Sequence, residues 1–193
     1  MTEAEFYTGR TPTDRERLLD ELLDRQEIEA CILRAARGID RHDDELAKSA
    51  FHAGARDDHA TFIGAAEDAV EWANRLQTAR WRSHQHLLTN ISIDLNGDEA
   101  HAETYVQVIG VPVDTWDWTM GGGRYIDRFE RRDGRWGITD RITVIEWWDD
   151  PNKMELLDRL NHHRAQDRTD LSYARPLTCD RESRDLSQTS KNI

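Results

Sequence analysis

His84 and His86 stand two residues apart in the segment Arg82-Ser83-His84-Gln85-His86-Leu87-Leu88-Thr89-Asn90. Side chains alternate along a strand. Read as a strand, the segment puts His84, His86, Leu88 and Asn90 on one face, with Leu87, Ile91, Ile93 and Leu95 on the other. An imidazole titrates near neutrality, so such a face can move protons without a metal. Alternation alone leaves two placements open: a solvated sheet face, or the wall of a cavity. Asp40, in Gly38-Ile39-Asp40-Arg41-His42-Asp43, is by itself a helix cap or a solvated charge. His59 follows Asp57-Asp58, but neither it nor His42 matches a metal-ligand spacing, and both read as loop residues. Gly121-Gly122-Gly123 opens a strand and is followed by no Lys-Ser/Thr, so it reads as a bend or bulge, not a phosphate loop. Trp116, Trp118, Trp147 and Trp148 suit either a core or a flat apolar ligand. No nucleophile elbow, nucleotide fingerprint or zinc pattern is present, and no metal or cofactor is expected.

These residues sit in a chain of 193 residues, the size of one domain. Hydrophobic residues make up 37% and charged residues 33%; seven Trp, four Tyr and four Phe are enough to anchor a core. The formal charge of −12 repels phosphate backbones, so nucleic acid is not an expected partner. Residues 150–193 hold eight acids and eight bases, so the whole excess lies before them. No run approaches the roughly 20 apolar residues of a membrane span, and the acidic N-terminus lacks a signal-like apolar stretch. With Cys31 and Cys179 as its two cysteines, the chain is expected to be cytoplasmic.

The elements that must position the candidates follow from periodicity. Thr13 with Glu16 is a capping-box pair, followed by an apolar stripe at Leu18, Leu19, Leu22 and Leu23. A second helical stripe runs through Ile28, Cys31, Ile32, Ala35, Ala36 and Ile39. Asp43 caps a short third helix through Phe51, HAGARDD reads as a loop, and 65–79 as another helix. From Trp81 the period changes to two. Asn96-Gly97 and Asp133-Gly134 are hairpin turns joining strands of an antiparallel meander. Helices followed by a meander predict an α+β domain with helices on one sheet face. Residues 169–193 lack apolar periodicity and are expected to be a loosely ordered extension beyond a domain of residues 1–168.

Taken in order, the helix end at Asp40, the His86-x-x-x-Asn90 strand, Arg132-Asp133-Gly134-Arg135-Trp136 and Arg141 resemble the SnoaL-like branch of the nuclear transport factor 2-like superfamily. The resemblance spans about residues 15–148 and is nearest to the group of scytalone dehydratase, bile acid 7α-dehydratase and hexachlorocyclohexane dehydrochlorinase. It implies a cone-shaped α+β barrel: helices closed by a curved antiparallel sheet around an apolar pocket. It also implies a cofactor-free lyase acting on a small apolar, aromatic or polycyclic hydroxylated substrate. Asp40 falls on the family's aspartate, His86 on its histidine base and Arg141 on a pocket arginine. Leu88, Asn90, Trp81, Tyr125 and Trp147 are then expected to line the pocket. The family often has a Tyr or Lys five residues before the aspartate; here that residue is Ala35, and His84 is expected to supply the missing acid. The lyase relatives are trimers packed through the sheet, so a homotrimer is favoured over a dimer. Two other readings share the fold: the non-catalytic small subunit of an aromatic-ring dioxygenase, and a ligand-binding protein or isomerase.

Overall fold

A computed structural model describes residues 12–162 and 164–186. Helix α1 runs unbroken over Pro12–Arg41. The two apolar stripes therefore belong to one helix, because the residues between them, Asp24 to Glu27, contain no breaker. Pro12 occupies the first helical position, which suits its fixed φ and missing N–H, so Thr13 lies inside the helix instead of capping it. The first half of α1 leaves Leu22 and Leu23 exposed, while the second half buries Ile28, Cys31, Ile32 and Ala35. Helix α2 (Asp44–Lys48) is capped as expected, with Asp43 Oδ1 accepting the Leu46 N–H at 3.0 Å. Helix α3 covers Ala66–Arg80 and α4 covers Pro151–Leu160.

The strands are β1 (Phe51–Asp58), β2 (Phe62–Ala65), β3 (Trp81–Asn96), β4 (Glu99–Pro112), β5 (Thr119–Arg132), β6 (Arg135–Trp148) and β7 (Arg184–Asp185). They form one curved, unclosed sheet in the order β3-β4-β5-β6-β1-β2-β7. The expected meander is β3 to β6, and its turn at Asp133-Gly134 has positive φ at both residues (52° and 75°), as the tight hairpin requires. The segment HAGARDD is strand β1 instead of a loop. It pairs in parallel with β6, so the sheet is not purely antiparallel. Being buried on both faces for much of its length, β1 carries no period-two signal.

Helices α1, α2 and α3 cover one sheet face. Ile28, Ile32, Ala47 and Val70 meet Phe129, Trp136 and Ile138 in the main core. The chain's last described residues cover the other face. Leu177 and Cys179 pack on Ile126, Ile142 and Val144, and β7 adds to β2. Polar anchors hold this segment down. Arg124 binds Asp170 through two hydrogen bonds, and Asp58 binds both His162 and Arg181. The loose extension expected from residue 169 is therefore laid over the sheet as far as residue 186, because it supplies its own apolar residues to a sheet face that would otherwise be bare. Residues 187–193 lie outside the described ones. Both cysteines are free and buried. No helix among the described residues is long and apolar enough to cross a membrane.

Candidate active site

Between the helices and the inner sheet face lies a cavity of about 180 Å³. Its walls are mostly apolar: Ala35, Ile39, Val70 and Trp72 from the helices, Val106 and Val108 from β4. Into it reach His86, Tyr125, Arg141 and His59.

Asp40 leaves the last turn of α1 and receives three hydrogen bonds from one residue. His86 Nδ1 lies 2.7 Å from Oδ1, and the His86 backbone N–H donates to both carboxylate oxygens at 3.0 and 3.1 Å. That N–H is available because β3 is the sheet's edge strand, whose outward donors have no neighbouring strand. Burial alone would raise the Asp40 carboxyl; the His86 hydrogen bonds outweigh it and hold the group below the ordinary range. A carboxylate accepts only, so Nδ1 carries the proton and Nε2 keeps its lone pair. Asp40 and His86 are thus one unit: an imidazole held by a carboxylate that sets its tautomer.

His84 stands beside this pair instead of in the cavity wall. Its Nε2 is 3.8 Å from Asp40 Oδ1 and has no hydrogen-bond partner among the described residues. Burial first, and the neighbouring His86 second, push its pKa down, so it is neutral at neutral pH. Its ring packs edge-on to His86 and to His42. The acid role expected of His84 needs reach to the substrate, which this position lacks.

Three further expectations need correction, and β-bulges explain two. The β3–β4 register shifts between Thr89 and Ile91, where Asn90 takes φ 47°, a conformation Asn tolerates better than most residues. The alternation changes phase there. His84, His86 and Leu88 share the inner face with Ile91, Ile93 and Leu95, while Asn90 is exposed and lines nothing. Leu88 packs on the main core instead of the cavity. A second bulge, between Gly122 and Gly123 against β6, moves Trp148 into the cavity wall and leaves Trp147 outside it, 39% exposed. The extra residue is Glu146 on β6, so the glycine run lies opposite the bulge and is not itself one. Gly121 also leaves room for the Trp148 ring, which a Cβ would meet at 2.1 Å. Trp81 and Tyr125 line the cavity.

Arg141 is 4% exposed and forks onto Asp127, with Nε to Oδ1 at 2.7 Å and Nη2 to Oδ2 at 2.8 Å. Burial works against its charge, but Asp127 more than offsets this and its pKa is raised. Its guanidinium lies 4.3 Å from the Tyr125 ring centre. Burial pushes the Tyr125 hydroxyl upward, so it stays protonated and able to donate. In register, Asp57 on β1 and Asp127 on β5 flank Arg141 on β6.

Asp57 also makes a second Asp–His pair. His59 Nδ1 lies 2.5 Å from Asp57 Oδ1, and both residues line the cavity. Sequence spacing hid this pair, because the nearby Asp57-Asp58-His59 run is indistinguishable from a polar loop until β1 brings it to the sheet centre. Arg80 and Lys153 were missed as well. Among the described residues, no group of three or more His, Cys, Asp or Glu is placed to hold a metal ion.

The model of the SnoaL-like domain family matches residues 20–142, well over half of the chain. The chain belongs to this family. It is a member of the SnoaL branch of the nuclear transport factor 2-like superfamily. Solved structures agree on the fold. A LinA-type3 hexachlorocyclohexane dehydrochlorinase from Novosphingobium barchaimii is 22% identical, over 67% of this chain and 91% of its own, with TM-score 0.60. A protein provisionally named a scytalone dehydratase, from Novosphingobium aromaticivorans, is 20% identical over 75% and 92%, with TM-score 0.61. A protein of unknown function from Mycobacterium tuberculosis is 21% identical over 70% and 76%, with TM-score 0.59. No curated protein matches the sequence. At these identities the likeness is one of fold.

Proposed function

We propose that the chain is a cofactor-independent lyase that removes the elements of water, or a comparable small leaving group, from a small apolar substrate carrying an aromatic or polycyclic frame. The observation that carries this reading is the Asp40–His86 pair at the wall of an apolar cavity. His86 Nε2 takes a proton from substrate carbon. Asp40 then steadies the imidazolium, in a medium where water does not screen the attraction. Arg141 and the protonated Tyr125 face the same space and stabilise the negative charge that develops on the substrate. In its imidazolium form His59, which lines the cavity and is oriented by Asp57, gives the departing oxygen its proton through Nε2–H; His84, which does not line the cavity, does not.

The test is a panel of hydroxylated aromatic and alicyclic compounds, followed by mass spectrometry for loss of the leaving group. With a turned-over compound in hand, His86→Ala should lower turnover by about 10²- to 10⁴-fold, the usual contribution of a general base. Asp40→Asn should also lower it strongly, with a far-ultraviolet spectrum like that of the parent. Parent-like rates in both variants would dismiss the assignment.

The two Asp–His pairs in one cavity also favour a second reading, an isomerase that takes a proton with one histidine and returns it with the other. Deuterium incorporated from solvent without loss of a leaving group selects that reading.

A further inference from the structure

Among the described residues, Arg80 and Lys153 are the basic groups lining the cavity that have no acid partner within hydrogen-bonding reach. Arg80 ends α3 and Lys153 lies in the first turn of α4, yet both line the cavity and both lie against Trp148. Lys153 Nζ is 3.3 Å from the Trp148 ring centre, and the Arg80 guanidinium is 4.8 Å from Trp81 and 5.7 Å from Trp148. Among the described residues, neither basic head makes a hydrogen bond or an ion pair, and the buried indole N–H of Trp148 has no acceptor. Asp149 and Asp150 act on both heads only through space. The Asp149 carboxylate is taken up by the Thr119 hydroxyl and the Met120 N–H. Cation–π contact recovers only part of what desolvating a lone cation costs. Among the described residues the Arg80, Lys153 and Trp148 side chains are thus donors left without an acceptor at one corner of an apolar cavity.

We infer that this corner is an anion subsite, in which Arg80 and Lys153 hold a carboxylate carried by a flat apolar substrate stacked on Trp148. The inference rests on reading this cavity as the substrate site, and it adds the substrate's class: a carboxylic acid. The placement is productive. His86, Val108, Gly121 and Trp148 form one cross-strand row through β3, β4, β5 and β6. Three strand spacings, about 14 Å between backbones, separate the base from the indole platform. The Trp148 ring lies over Gly121, so the indole itself extends one step along this row toward Val108 and His86. A molecule anchored by its carboxylate at Lys153 thus lies across the sheet with its far end toward His86.

The subsite also takes up a proton. Burial first and Arg80 second push the Lys153 amine down to about 6, against the opposing pull of Asp149 and Asp150. In the empty cavity the amine is therefore largely neutral at pH 7.5. A carboxylate beside it restores the ammonium.

The experiment compares 2-naphthoate with its uncharged counterpart, 2-naphthamide, by titration calorimetry at pH 7.5 in two buffers of different ionisation enthalpy. The parent should bind the acid about 10- to 100-fold more tightly than the amide, as hydrogen bonds to a charged group provide, with net proton uptake. Lys153→Met and Arg80→Gln should each lose most of that preference while binding the amide within about threefold of the parent, and Lys153→Met should lose the proton uptake. Equal affinity for acid and amide in the parent, or a preference that survives both substitutions, overturns the inference. The readout is binding alone. A His86→Ala protein should keep the preference, so a failed lyase assignment and a failed anion subsite give different results.

Discussion

The two sides of the cavity treat buried charge in opposite ways. On one side, each carboxylate holds a basic partner: Asp40 with His86, Asp57 with His59, Asp127 with Arg141. On the other, Arg80 and Lys153 rest on indole rings with no acid in hydrogen-bonding reach. The paired side is built by register, since Asp57, Arg141 and Asp127 occupy matching positions on three adjacent strands. The basic corner is built at junctions, where α3 passes into β3 and β6 passes into α4. Paired charges can be desolvated within the folded chain at little net cost. The unpaired ones leave a site that a ligand completes.

The sharpest way to break this contrast is to remove one member of the most buried pair. Asp127→Ala leaves the Arg141 charge without its fork, at a position where Asp127 is fully buried. It should cost about 3–5 kcal/mol in denaturant unfolding. A loss below about 1 kcal/mol would mean that the paired side is not held together by its pairs. Lys153→Met is the counterpart, and it should not lower stability at neutral pH, because no partner is orphaned.

The pH dependence separates the two sides further. Lys153 titrates near 6 in the folded chain against an ordinary value near 10.4. Between those values the unfolded chain binds more protons than the folded one, so stability rises with pH and falls as pH drops toward 6. The difference in slope between the parent and Lys153→Met, followed by urea titration from pH 7 to 9, should reach at most about 1.4 kcal/mol per pH unit. Parallel slopes would show that Lys153 keeps its ordinary pKa. The smallest expected effect concerns the bulge that sets the phase of His86 relative to the core. Asn90→Gly should change stability by no more than about 0.5 kcal/mol, because glycine accepts a positive φ. Asn90→Val should cost about 1–2 kcal/mol. Equal effects in a thermal melt would remove the bulge from the account.

Much of the paired side was legible in the sequence, and the basic corner was not. Asp40, His86 and Arg141 were named through the resemblance to the SnoaL-like family, since Asp40 alone reads as a helix cap and strand alternation alone leaves His86 either solvated or in a cavity wall. The second pair was visible but uninformative, because a strand buried on both faces looks like a loop to periodicity. Lys153 carried one faint signal: it is one of three lysines, with Lys48 and Lys191. Nothing local shows that it points inward.

By itself the sequence determined the α+β class, the long apolar stripe of α1, the cap at Asp43 and the two hairpin turns. Each of these depends on neighbours within a few residues, or on residue types that few structural roles demand. Only the tertiary structure decided which face His86 shares, which of two adjacent tryptophans enters the cavity, where the C-terminal segment lies, and that Arg80 and Lys153 meet. A bulge of one residue inverts a period-two pattern, and the meeting of two chain junctions depends on how the whole sheet curves. Neither is written in the local order of residues.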